Sequence, residues 1–339
     1  MRIAIIGGGI AGLTAAWQLT RLAPELAASG SPLHLTLFES SNRLGGIVET
    51  VREGGFTIET GPDAWLTAKP WASELARDLG LAQELIPSND ATRKTWLFQH
   101  QPTPQHQPTP QQPGPRLVPI PDGMSLFVPS DLDALRDSTL FSPSAIAAYA
   151  AEPARAAELL AAIPPHDESV AAFTLRHFGP EVLHRIAAPL LAGVFGGDIH
   201  TLSARATLPT LIQMERTHGS LLLALQAQRS GRDPLAPSPS LFTSLSTGVG
   251  TLIDRLVAAI PHHAIRLNTS VTALTPQASG RTPLTWQVAS TSAGRPDVQP
   301  YDRIFLALPA HAARGLLSPI DPRAADLLPH ESSSAVLVA

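Results

Sequence analysis

Residues 7–12 read Gly7-Gly8-Gly9-Ile10-Ala11-Gly12, which contains a G-x-G-x-x-G run. The run follows Arg2–Ile6, a short apolar stretch with β-branched residues that reads as a buried parallel strand. It opens a segment with Leu13, Ala16, Leu19 and Leu22 at helical spacing. Between a strand and a helix the three glycines have separate uses. Gly7 permits the tight turn, Gly9 lets backbone approach a pyrophosphate, and Gly12 lets the helix pack closely on the strand. Gly8, Ile10 and Ala11 complete the turn and the first helical positions. The free N–H groups and partial positive charge at that helix end suit a diphosphate. Taken alone, the pattern is equally a glycine-rich turn with no ligand.

Two further features favour the ligand. Glu39, followed by Ser40, ends a second apolar run, Leu33–Phe38. A carboxylate there can accept hydrogen bonds from ribose hydroxyls, and it disfavours a cofactor with a 2′-phosphate. Glu39 lies farther past the glycines than the usual ~20 residues, and a lengthened connection at Pro24–Pro32 accounts for the excess. Next comes Arg43-Leu44-Gly45-Gly46. Arg43 can neutralise diphosphate, and Gly45 and Gly46 let a loop pass close to a cofactor.

The elements that must hold these residues form a βαβ unit: the strand Arg2–Ile6, a helix from Ile10 to about Leu22 ended by Pro24, and the strand Leu33–Phe38. Phe56–Thr60 reads as another strand, Gly61-Pro62 as a turn, and Pro70–Leu85 as a helix. His100–Gln111 repeats HQPTPQ and runs into Gln112-Pro113-Gly114-Pro115, an extended surface insertion. Pro143 to about Leu225 is Ala- and Leu-rich and mostly helical, with breaks at Pro164-Pro165, Gly179-Pro180 and Gly193–Gly197. Arg229–Ser240 reads as a second loop, and Thr251–Ile260 as a helix. Val271–Leu274, Leu284–Ala289 and Arg303–Leu308 read as strands, and Ser334–Ala339 as a strand in progress.

Composition narrows the class. The 339 residues are 44% hydrophobic and 15% charged, which suits about two globular domains. A net charge of -4 with scattered Lys and Arg argues against a nucleic-acid partner. The absence of cysteine excludes disulfides and thiolate chemistry. The twelve His include no pair at helical ligand spacing beside a carboxylate, so no metal site is expected.

Glu39-x-x-x-Arg43-Leu44-Gly45-Gly46 resembles the second fingerprint of the FAD enzymes of the amine oxidase, carotenoid desaturase and protoporphyrinogen oxidase superfamily. Within it the chain resembles the oxygen-dependent proto- and coproporphyrinogen oxidases of bacterial haem synthesis. Phe56–Leu66 is similar to the family's flavin-facing loop. Asp167–Val170, Phe178–Leu183 and Ala187–Asp198 carry the most specific likeness, with Ala188 where the family has Glu. Leu202–Thr207, His218–Leu221 and, more loosely, Leu245–Leu252 continue it.

The resemblance implies an α/β fold: a Rossmann-like FAD-binding domain with an inserted, mostly helical plus sheet substrate domain. The expected segments are 1–68 and 245–309 for the FAD domain, 69–244 for the substrate domain with its insertion at 100–115, and 310–339 for the start of a second substrate segment. It implies FAD as cofactor and a porphyrinogen and oxygen as reactants, with flavin rather than a side chain doing the redox work. It places Gly61, Pro62, Asp63 and Ala64 near the flavin, Val271 at the adenine through its backbone, and Lys69 at a substrate propionate. It implies a cytoplasmic protein, with membrane contact through similar helices in some relatives; no basic amphipathic stripe marks such a contact here. Relatives run longer, and nothing after Pro309 resembles their last glycine-rich flavin segment. The chain is therefore expected to be truncated, holding the ADP half of the site and lacking the isoalloxazine half. A sibling oxidase acting on amines or carotenoid precursors, or an inactive flavin-binding remnant, are the alternatives.

Overall fold

The computed structural model describes residues 1–89, 94–99, 116–230, 240–277, 285–330 and 332. The chain divides into two compact units, Met1–Asp90 with Pro239–Ala339, and Ala91–Ser238.

The first unit is built on a parallel sheet. Strand β1 (Arg2–Ile6) pairs with β2 (His34–Phe38) on one side and with Arg303–Leu306 on the other, and Ile265–Arg266 extends the sheet beyond β2. Ile3, Ala4, Ile5 and Ile6 are all buried, as a strand covered on both faces requires. Helix α1 (Ile10–Ala28) packs Leu13, Ala16 and Trp17 into that core. It does not stop at Pro24, which lies inside it. Proline removes one ladder donor. Here the carbonyl left free is that of half-buried Thr20, and residues beyond Pro24 are largely exposed, so solvent can take it up.

The strand expected at Phe56–Thr60 is β4 (Phe56–Glu59), and it forms a hairpin with β3 (Thr50–Glu53), which hydrophobic patterning does not announce, joined at Gly54-Gly55. Helix α2 is shorter than expected, Pro70–Asp78, because Gly80 turns the chain with φ +77. A 3-10 turn at Ala82–Glu84 and a strand at Leu85–Pro87 take up the rest of the expected helix. An antiparallel three-stranded sheet of Thr269–Gln277, Thr285–Ser292 and Arg295–Tyr301 completes the unit with the helix Ala310–Leu317. The third of these strands is also absent from the sequence reading. It follows an Ala293-Gly294 turn with both φ positive, which matches strand twist in a tight hairpin.

The second unit is mostly helical, as the Ala- and Leu-rich composition suggests. Ser142, Ser169 and Ser203 each cap a helix by accepting the N–H three residues on. Helix Val170–Val182 kinks at Gly179, whose φ is +80. The core centres on Phe127, Tyr149, Phe173 and Phe178, and the Tyr149 hydroxyl donates to the Phe127 carbonyl at 2.6 Å. A hairpin of Trp96–Gln99 and Arg116–Pro119 turns Leu97 and Val118 inward.

Charge is also buried in this unit. His177 places Nδ1 2.9 Å from Glu152 and Nε2 3.1 Å from Glu215, a pair of contacts that favours the doubly protonated ring. Arg176 pairs with Glu215 and Glu168, and the Ser220 hydroxyl and Leu221 N–H donate to Glu152. Burial alone would depress the His177 ring, but hydrogen bonds to the two carboxylates raise it above its usual value. Burial alone would raise both carboxyls, but the donors around them hold Glu152 and Glu215 below theirs.

The HQPTPQ repeat, residues 112–115, most of the second loop and the run 333–339 lie outside the described residues. No helix among the described residues is long and apolar enough to cross a membrane.

Candidate dinucleotide site

The glycine run lies where β1 gives way to α1. The Gly7 N–H donates to the Phe38 carbonyl at 2.9 Å, tying the turn to the end of β2. Gly7 has φ +112, a conformation that side chains resist. Gly12 answers a different need, since a Cβ there would lie 1.9 Å from the Gly7 carbonyl oxygen. The second glycine loop is stitched to the first. The Gly45 N–H donates to the Gly8 carbonyl at 2.8 Å, and Gly9 and Gly45 form a parallel bridge. Gly46 stands against Gly9, so the two loops form one surface of bare backbone.

Glu39 closes one end of this surface. Its Oε2 accepts the Gly8 N–H at 2.8 Å and its Oε1 accepts the Ser41 N–H at 2.8 Å. The Ser40 hydroxyl lies 3.3 Å from Oε1. Partial burial alone would raise this carboxyl, but the Ser41 and Gly8 amides and the two serine hydroxyls hold it below its ordinary value. Glu39 is therefore an anion with acceptor capacity left for hydroxyl donors. Arg43 does not project freely. Its guanidinium donates to the Gly46 carbonyl at 2.7 Å and lies 3.5 Å from Glu49, so it braces the glycine loop.

A cleft of about 290 Å³ opens beside these groups, lined by Gly7, Glu39, Ser40 and Val271 together with Thr269 and Thr272. Its far wall is the helix Ala310–Leu317, through Ala312, Gly315 and Leu316. The pairing register shifts between Val271 and Ala273, a bulge at the cleft wall. Bulges leave backbone unpaired and re-aim side chains. The sequence reading does not single out Thr269, Thr272, Ala312 or Gly315. For the helix a signal does exist: Ala312 and Gly315 are small residues one turn apart, leaving room for a neighbour.

The remaining expected residues sit elsewhere in the first unit. Gly61 lies against the Ile47 carbonyl. Pro62 and Asp63 are exposed and Ala64 is half-buried. The Asp63 carbonyl accepts the Ser244 hydroxyl at 2.6 Å. Lys69 precedes α2 with its ammonium 5.5 Å from the Trp71 ring centre, and both side chains are exposed. None of these five lines the cleft, and neither do Gly8, Gly9, Ile10, Ala11, Gly12, Arg43, Gly45 or Gly46.

The arrangement fits a dinucleotide. The first N–H groups of an α-helix have no carbonyl partner within it, and Gly9 brings no side-chain cap to Ile10, Ala11 and Gly12. A Cβ on Gly9 would meet only Gly46 Cα, at 3.9 Å, so the face above the helix end is open. An anion at that open face, with ribose hydroxyls reaching Glu39, satisfies both groups.

The sequence pattern of the flavin containing amine oxidoreductase family matches residues 10–339. The chain belongs to this family. FAD is the family's cofactor. The chain is 32% identical over 340 residues to the coproporphyrinogen III oxidase of Bacillus subtilis, covering 99% of the chain and 66% of that protein. It is 31% identical over 281 residues to the coproporphyrinogen III oxidase of Staphylococcus aureus, covering 79% of the chain and 54% of that protein. A crystal structure of a proposed protoporphyrinogen oxidase from Exiguobacterium sp. 255-15 superposes with a TM-score of 0.66 at 28% identity, over 95% of this chain and 61% of that one. The chain thus spans about two thirds or less of the relatives it matches. The family is one of oxidoreductases, and within it the chain is similar to proteins named coproporphyrinogen III oxidase.

Proposed function

We infer that this chain carries the FAD-holding part of an oxygen-dependent porphyrinogen oxidase of haem synthesis. The substrate is coproporphyrinogen III or protoporphyrinogen IX. Six electrons leave the macrocycle in three two-electron steps, and each pair reduces one oxygen to hydrogen peroxide. The observation that carries the reading is the 32% identity to a coproporphyrinogen III oxidase, sustained over 99% of the chain.

When bound, FAD supplies two-electron acceptance from carbon and re-oxidation by oxygen. The chain's own residues bind and orient. The N–H groups of Ile10, Ala11 and Gly12 would hold the diphosphate. Gly9, Gly45 and Gly46 let it lie close to backbone. Glu39, with Ser40 beside it, would accept from the ribose hydroxyls, and Val271 would meet the adenine through its peptide. Gly61, Pro62, Asp63 and Ala64 serve the flavin end, and the Lys69 ammonium pairs with a substrate propionate. A hydride acceptor of this kind calls for no nucleophile or paired carboxylates at the reacting carbon.

The test is aerobic turnover by the purified chain. Coproporphyrinogen III and protoporphyrinogen IX are supplied separately, with porphyrin fluorescence and peroxide both recorded. Fluorescence with peroxide at about three per porphyrin is the expected result, and the faster substrate names the activity. Bound flavin that oxidises an amine or a polyene while leaving both porphyrinogens untouched would replace this reading with the sibling one.

A further inference from the structure

The β3–β4 hairpin does not line the cleft, yet both cofactor loops hang from it. Residues 43–48 lead into β3, and Gly61–Ala64 leave β4. At its base the Thr60 N–H donates to the Glu49 carbonyl at 3.0 Å. A Cβ on Gly61 would lie 1.9 Å from the Ile47 carbonyl oxygen, so the two loops touch.

The hairpin also grips the helix Gly250–Ala258. Glu59 Oε1 accepts the Val249 N–H at 2.8 Å. Thr50 Oγ1 accepts the Gly250 N–H at 2.7 Å and donates to Glu59 Oε2 at 2.6 Å. Arg52 adds a bond to the Thr247 carbonyl at 2.7 Å. This helix starts with Val249 at its cap position and no side-chain cap of its own. The Val249 and Gly250 N–H groups depend on another element, where a local Ser, Thr or Asp would often serve, while the Thr251 and Leu252 N–H groups bond to the Gly248 and Val249 carbonyls. The helix then reaches back to the cofactor loop. A Cβ on Gly45 would lie 3.3 Å from Ile253 Cγ2.

The contacts form a closed circuit: loop to hairpin, hairpin to helix, helix to loop. We propose that Thr50 and Glu59 are positioning residues for FAD, setting the 43–48 loop through the helix Gly250–Ala258, and Gly61–Ala64 through the contact of Gly61 with Ile47, without touching the cofactor. The proposal rests on the FAD reading of the cleft. Thr50→Val keeps the shape and strand preference but removes both hydroxyl bonds, whereas Thr50→Ser keeps them. Two measurements on each chain separate positioning from general stability: FAD affinity by titration, and amide hydrogen exchange of the unloaded chain.

With Thr50→Val, FAD affinity is expected to fall about tenfold, the loss of one or two hydrogen bonds. Exchange in segments 43–48 and 60–64 should quicken while β1 and residues 170–182 stay at the wild-type rate. Thr50→Ser should remain within about twofold of wild type on both counts, since each bond is retained. Unchanged loop exchange in Thr50→Val would overturn the proposal, as would quickening spread evenly over the chain. A wild-type chain that takes up no FAD would refute the cofactor reading of the cleft, and the exchange pattern would still decide the role of Thr50 and Glu59.

Discussion

Gly9 and Gly12 stand one helical turn apart and do opposite work. Gly9 has φ -74 and ψ -179, a conformation open to any residue, and its missing Cβ faces open space. Gly9→Val should therefore fold and lose FAD. Equilibrium unfolding of the unloaded chain is expected to shift by less than about 1 kcal/mol, while flavin absorbance disappears from the purified protein. Gly12→Val is expected to fail at the fold instead, because the new carbon would meet the Gly7 carbonyl oxygen at 1.9 Å. Glu39 adds a pH dependence. Its folded pKa lies below the ordinary value, so the stability it contributes is present above pH ~4.5 and is lost as pH falls through the folded pKa. Hydroxyl recognition needs the same ionised form, so FAD release should set in over that acid range, as a titration of flavin fluorescence would show. At this scale much of the site is legible in the sequence. The turn at Gly7, the bare backbone at Gly9, the close approach at Gly12 and the anionic Glu39 follow from residue type, because backbone clearance and charge are local properties. The bracing role of Arg43 is not legible, because its partners Gly46 and Glu49 are fixed only by how the loop folds back.

At the scale of elements, the βαβ unit and the helical middle follow from periodicity, because burial on one face repeats at a fixed interval. The differences fall at the punctuation. Pro24 reads as a stop, yet a helix with solvent on that side tolerates one lost donor. The stop that the reading of Pro70–Leu85 lacks is Gly80, whose positive φ ends α2 early. Gly54-Gly55 signals a hairpin in two residues, but β3 before it is mostly exposed and shows no apolar alternation to support it. The break expected at Gly179-Pro180 is the kink at Gly179, and it can be tested. Its φ is +80 and no atom lies within 4 Å of where a Cβ would stand, so Gly179→Ala would suffer backbone strain alone. A loss of about 1 kcal/mol is expected in denaturant titration. A loss above about 3 kcal/mol would mean that packing, not conformation, demands glycine there.

Across the molecule, a buried charge cluster lies far in sequence from the fingerprints, and its central residues Glu152, His177 and Glu215 fall in none of the stretches that carry the family likeness. Glu152, His177 and Glu215 come from three separate helical segments, and only the folded unit brings them together. His177 has a raised folded pKa, so its contribution is full below pH ~6.5 and is lost as pH rises through the folded value. Glu152 and Glu215 have depressed values, so theirs is present above pH ~4.5 and is lost as pH falls through them. Stability of the chain should be greatest between these limits. His177→Phe would strand two buried carboxylates and is expected to cost ~3–5 kcal/mol near neutrality while removing the alkaline limb. Thermal unfolding across pH reads both effects.

We propose that the Gly7–Gly12 turn holds FAD and that, despite the isoalloxazine half expected to be missing, the loaded chain oxidises a porphyrinogen. The most direct measurement is porphyrin fluorescence, with flavin absorbance in the same cuvette, when the wild-type chain and Gly9→Val are given coproporphyrinogen III in air. The expected result is flavin and rising fluorescence for wild type, and a folded Gly9→Val chain with neither. Wild-type chain that carries flavin and forms no porphyrin, or Gly9→Val that forms it at the wild-type rate, would contradict the account.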